Sequence, residues 1–117
     1  MSTIAKNEIT VRSLRDLDAM VAKHVMSIKP PTRPSVTFTP ARYTTWAGVE
    51  AVIKRLEERN LLWDISSRYP GQSDAYYGEV FMGKTFHSRY ARSAPIALCL
   101  AALESVGCRV RLEMELG

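Results

Sequence analysis

Every residue from Pro95 to Leu103 is apolar. Wound at 3.6 residues per turn, such a run presents apolar side chains in every direction, so as a helix it has to be enclosed on all sides. It is about half of the roughly 18 residues that a membrane span requires. It therefore reads as a deeply buried helix inside a protein that does not cross a membrane. Its ends agree with this. Ser93 or Ala94 can cap it, Pro95 takes the first position where a missing N–H costs nothing, and Gly107 stops it. A chain of 117 residues supports one core of ordinary size, so the remaining elements must wrap around this helix.

Two further helices are predicted. Ser13 can cap one with Leu14, Leu17, Met20, Val21 and Val25 along one face, ending before Pro30-Pro31. Asp16 and Asp18 fall in its first turn and complement the positive end of the helix dipole. The other starts at Thr44 or Thr45, buries Trp46, Val49, Val52, Ile53 and Leu56, and ends at Asn60. From Leu61 to Tyr69 the period drops to two, with Leu61, Trp63, Ile65 and Tyr69 inward. Pro70 to Asp74 is turn chemistry, and Ala75 to Met82 forms the next strand. Gly83-Lys84 suits a two-residue hairpin loop leading to a strand over 85–90. That register places Phe81 beside Phe86 and Tyr77 beside Tyr90 on one face, with Val80 beside His87 and Gly78 beside Arg89 on the other. Cys108 to Leu116 alternates as a final strand, with Arg109, Arg111, Glu113 and Glu115 outward.

Residues 29–45 hold Pro30, Pro31, Pro34 and Pro40 and are either a binding loop or a crossover, with a short edge strand at 36–39. Residues 1–12 are polar and read as a flexible N-terminus, leaving 13–117 as a single domain. The expected fold class is α+β: about three helices packed on a mainly antiparallel four- to five-stranded sheet, sandwich-like.

Composition narrows the chemistry. Apolar residues make up 46% and charged residues 24%, which excludes a disordered or fibrous chain. The N-terminus lacks the apolar stretch of a signal peptide, so a cytoplasmic location is expected. Two Cys and two His are too few for a disulfide scaffold or a zinc motif, and no cofactor motif is present. His87 has only Glu79 as a nearby acid and no positioned nucleophile, so a non-enzymatic role is expected.

The net charge of +4 is unevenly placed. The stretches 19–49 and 80–103 contain no acid and seven cations. They include the starts of two helices, where unpaired N–H groups and the dipole favour anions. Arg33, Arg42, Arg89 and Arg92 are the cations least explained by packing. Arg42 and Arg92 would pair phosphates, Thr44 and Thr45 would hold hydroxyls or phosphate, and Tyr43 or Phe86 would stack a base. Trp46 serves either this site or the core, and His87 completes the candidate set on the hairpin arm. Some of Tyr76, Tyr77, Phe81, Phe86 and Tyr90 should remain on an uncovered sheet face, which implies a homo-oligomer, most simply a dimer.

Three phrases resemble the phage ABA-sandwich domain family. Leu17-Asp18-Ala19-Met20-Val21-Ala22-Lys23-His24-Val25-Met26 resembles its opening helix, with Ser27 where Gly is common. Arg42-Tyr43-Thr44-Thr45-Trp46-Ala47-Gly48-Val49-Glu50-Ala51-Val52 resembles a middle segment with its aromatic shifted and its Asp missing. Ser93-Ala94-Pro95-Ile96-Ala97-Leu98-Cys99-Leu100-Ala101-Ala102-Leu103 resembles the closing phrase most closely. The resemblance implies a small bacteriophage protein with helices packed on a sheet, acting in an infected bacterial host, and carries no activity over. In that setting the residues suggest a sponge that sequesters an anionic nucleotide second messenger of anti-phage defence. Alternatives are a protein that binds and inhibits a host protein, or a nucleic-acid-binding accessory protein.

Overall fold

The computed structural model describes residues 7–29, 39–68 and 71–113. The apolar run forms helix α3 (Ala94–Ser105), whose residues Ala94 to Leu103 are all buried. The Ser93 hydroxyl accepts the Ile96 N–H at 3.3 Å, and Pro95 sits in the first turn. Before it come β1 (Asn7–Val11), α1 (Leu14–Met20), α2 (Trp46–Glu58), β2 (Leu62–Ser67), β3 (Tyr76–Met82) and β4 (Thr85–Ala91). After it comes β5 (Cys108–Leu112). Helix α1 runs on through a π-helical turn, Val21–Val25, and stops where Ser27 adopts φ 57°. That left-handed conformation is the physical reason a glycine suits this position.

Strands β2, β3 and β4 form an antiparallel sheet, and β1 pairs in parallel with β5 in a second sheet. The α+β class holds, but the strands are divided between two sheets. Helix α3 packs on one face of β2, β3 and β4, and α2 and the π-helical turn pack against α3 from elsewhere on its surface. Contact with the sheet is closest at Gly78, where a Cβ would lie 2.5 Å from the Ala97 carbonyl carbon and the Leu98 nitrogen. This explains a glycine in mid-strand.

The hairpin follows the expected register, with Phe81 opposite Phe86 and Tyr77 opposite Tyr90, and Gly83 takes φ 60°. Asn60 ends α2 at φ 59°. The Leu61 N–H donates to the Leu56 carbonyl at 2.9 Å and the Asn60 N–H to the Glu57 carbonyl at 3.0 Å, a Schellman motif.

Two expectations are corrected. The expected flexible segment 1–12 does not hold over its second half, because Asn7–Val11 form β1 and Val11 is fully buried; residues 1–6 lie outside the described residues. Glu8-Ile9-Thr10-Val11 alternates polar and apolar, and pairing with β5 satisfies its backbone. Trp46 is not a core residue: it is 65% exposed. It lies on the apolar stripe of α2, but the core begins one turn later, at Val49. Residues 36–38 of the expected edge strand, together with Tyr69, Met114 and Leu116, lie outside the described residues.

Candidate functional site

At the start of α2, Thr45 is the cap. Its hydroxyl accepts the Gly48 N–H at 3.1 Å and donates to the Arg42 carbonyl at 2.7 Å. The Thr44 N–H donates to the Asp18 carboxylate at 3.0 Å. Asp18 is only 5% exposed, and burial pushes its carboxyl above the usual range, partly offset by the bonds from Thr44 and by the Arg42 charge. The acid meant to complement one helix dipole therefore serves the turn that opens another. It already occupies ground that an external anion would need. Tyr43 is buried, and its carbonyl accepts the Cys99 thiol at 3.4 Å. Its ring faces the core and is not available to stack a base. Arg42 is exposed and borders a hollow of about 270 Å³ with Arg15 and Asp18.

The remaining candidates lie elsewhere. Phe86 stacks on Phe81 at 5.6 Å on the face of β2, β3 and β4 away from α3. His87 borders a hollow of about 110 Å³ with Leu61, Val80 and Ser105. Arg92 is exposed just before α3. Arg33 lies outside the described residues. Among the described residues, Arg42 and Thr44 border one hollow, His87 a second and Arg89 a third.

That third hollow is a cleft of about 720 Å³ between β4 and β5. Ser88 and Arg89 come from β4, Arg109 and Arg111 from β5, Glu8 from β1 and Glu104 from α3. The Arg89 guanidinium donates to the Val110 carbonyl at 3.0 Å, strapping one sheet to the other. Arg109 and Arg111 are exposed because their neighbours Cys108 and Val110 take the buried side of β5. Three guanidiniums and two carboxylates therefore border one polar cleft. Sequence reading placed Arg109 and Arg111 on a solvent edge but had no signal that Arg89 would join them. It missed Asp18 although Leu14, Asp18 and Val21 share one helix face, the spacing that marks a buried position.

Among the described residues no group of three or more His, Cys, Asp or Glu could hold a metal ion. No described helix is long and apolar enough to cross a membrane.

No family model and no curated protein matches the sequence. Among solved structures, the chain is similar to a phage protein from Bacillus cereus ATCC 14579, with a TM-score of 0.66 and 19% identity. The match covers 86% of this chain and 94% of that one. At this identity the likeness establishes a shared fold.

Proposed function

We propose that the protein is a non-enzymatic binder of a small anionic nucleotide and that the cleft between β4 and β5 is its site. The observation that carries this reading is the convergence of Arg89, Arg109 and Arg111 on one polar cleft. Its volume falls within the range of small-molecule sites, roughly 300–1,000 Å³. Guanidiniums pair with phosphates through paired N–H donors. Glu8 and Glu104 suit the hydroxyl and amino donors of a nucleoside, so the mixed lining fits a nucleotide better than a long polyanion. The fold shared with a phage protein supports a phage setting. There, a binder without turnover acts by holding a nucleotide signal of the host's defence.

The test is a thermal-shift panel of cyclic and linear nucleotides, followed by heat denaturation and recovery of the ligand. A ligand at 100 times its Kd stabilises by about 2.7 kcal/mol, a shift of roughly 10 °C for a domain of this size. Arg109→Ala with Arg111→Ala should abolish the shift while leaving the fold intact, since both side chains are exposed. Recovered products in place of intact ligand would indicate an enzyme. No shift with any nucleotide at millimolar concentration would overturn the reading.

A further inference from the structure

The face of β2, β3 and β4 turned away from α3 is banded. Leu62, Phe81 and Phe86 lie side by side across the three strands, then Asp64, Glu79 and Ser88, then Ser66, Tyr77 and Tyr90. Leu62 is 57% exposed, Phe86 58% and Tyr90 43%. The two aromatic pairs are packed within the face, with ring centroids at 5.6 Å for Phe81 and Phe86 and 5.1 Å for Tyr77 and Tyr90. Two carboxylates, Asp64 and Glu79, therefore lie between an apolar band and a tyrosine band, in a protein whose overall charge is +4. Among the described residues neither Asp64 nor Glu79 has a cationic partner. Glu79 is held in place by the Tyr77 hydroxyl, which donates to its carboxylate at 2.7 Å. The rings also accept a cation already: the Arg68 guanidinium lies 4.8 Å from the Tyr77 ring centre.

We propose that this face docks a protein segment that carries an Arg or Lys between two apolar side chains. Successive bands are separated by two residues of strand, about 6.7 Å. An extended segment with apolar residues at i and i+4 and a cation at i+2 matches that spacing. Its cation would meet Asp64 and Glu79 with aromatic rings on either side, gaining both charge pairing and cation–π attraction. A second copy of the chain fits less well. A two-fold axis through the acidic band would bring four carboxylates together, and an axis elsewhere would leave one apolar band uncovered.

The probe is a synthetic nonapeptide centred on Leu-Thr-Arg-Thr-Leu, titrated into the ¹⁵N-labelled protein and followed by amide chemical shifts. Saturable changes are expected at 62–66, 77–81 and 86–90. The same peptide with Glu in place of the central Arg should bind about tenfold more weakly. Asp64→Asn together with Glu79→Gln, which keeps an oxygen for the Tyr77 hydroxyl, should remove most of that discrimination, and Phe86→Ser should remove binding. No saturable change at millimolar peptide, changes confined to other residues, or equal binding of the two peptides would overturn the proposal. So would concentration-dependent self-association in ultracentrifugation that Phe86→Ser abolishes, because the face would then be covered by a second copy. Ser88 and Arg89 also border the β4–β5 cleft, so the titration is run without nucleotide and the changes at 62–66 and 77–81 separate this face from that site.

Discussion

Replacing Gly78 by Ala tests the packing on which the whole fold rests. The new Cβ would lie 2.5 Å from the Ala97 carbonyl carbon and the Leu98 nitrogen, and 2.8 Å from the Ala97 oxygen. Ordinary carbon contacts lie at about 3.5–4.0 Å, so β3 and α3 must separate by about 1 Å. No flexible side-chain tip can yield instead, because all three atoms are backbone. Helix α3 cannot move freely either, since Ala94 to Leu103 are enclosed by other elements. A radial gap of 0.5–1 Å forfeits roughly a quarter to a half of each contact's attraction. Overpacking of this kind costs about 1–3 kcal/mol, and a backbone-to-backbone clash belongs at the upper end. The gain from replacing a strand glycine, about 0.5–1 kcal/mol, works in the opposite direction. A net loss of about 2 kcal/mol remains. With a urea dependence of about 1.5 kcal/mol per molar, the unfolding midpoint should fall by about 1–1.5 M. A loss below about 0.5 kcal/mol would refute the argument, because it would mean that α3 is not held rigidly against β3.

Asp18→Ala should cost about 1–3 kcal/mol by leaving the buried Thr44 N–H without its acceptor. Asp18→Asn keeps an oxygen there and should be far less damaging in the same urea titration. Because burial raises the Asp18 pKa in the folded state, ionisation of this group opposes folding. Its stabilising contribution is complete below the unfolded carboxyl value and is lost as pH rises through the raised folded value. Wild type should therefore gain stability relative to Asp18→Asn as pH falls from 7 towards 3, and a constant difference would refute this. Ser27→Gly relieves a left-handed backbone at φ 57°, worth about 1–2 kcal/mol, against glycine's entropy cost of about 0.5–1 kcal/mol and loss of the exposed Arg59 bond to the Ser27 hydroxyl, so Tm should rise slightly. Cys99 and Cys108 are both buried, and burial pushes both thiols up. Neither should react with a thiol reagent until the protein unfolds, and rapid labelling of the native protein would contradict the placement.

The candidate site was less legible in the sequence than the fold. The expected site was built from types that bind anions at helix starts, and part of that chemistry turned inward. Thr45 caps α2, Thr44 pairs with Asp18, and Tyr43 fills the core. The residue types were read correctly as hydrogen-bonding and aromatic, but their partners are internal. Nothing local distinguishes a threonine that caps its own helix from one that waits for a phosphate. The cleft was hidden for a related reason: Arg89 and Arg109 are twenty residues apart and meet only because α3 returns the chain to the side of β4.

The sequence by itself determined the features that arise within a few residues. The cap at Ser13, the caps to within one residue at Thr44 or Thr45 and at Ser93 or Ala94, the stop at Asn60 and the hairpin register from Gly83-Lys84 all follow from local backbone and side-chain geometry. So does the burial of α3, because a helix that is apolar all round has no solvent face to offer. Tertiary structure decided which surfaces meet. It buried Asp18, left Trp46 in solvent, and paired β1 with β5 apart from the other strands. It also gathered a banded aromatic and acidic face from three strands. Such outcomes depend on the relative placement of whole elements, which periodicity constrains only to a face and not to a partner.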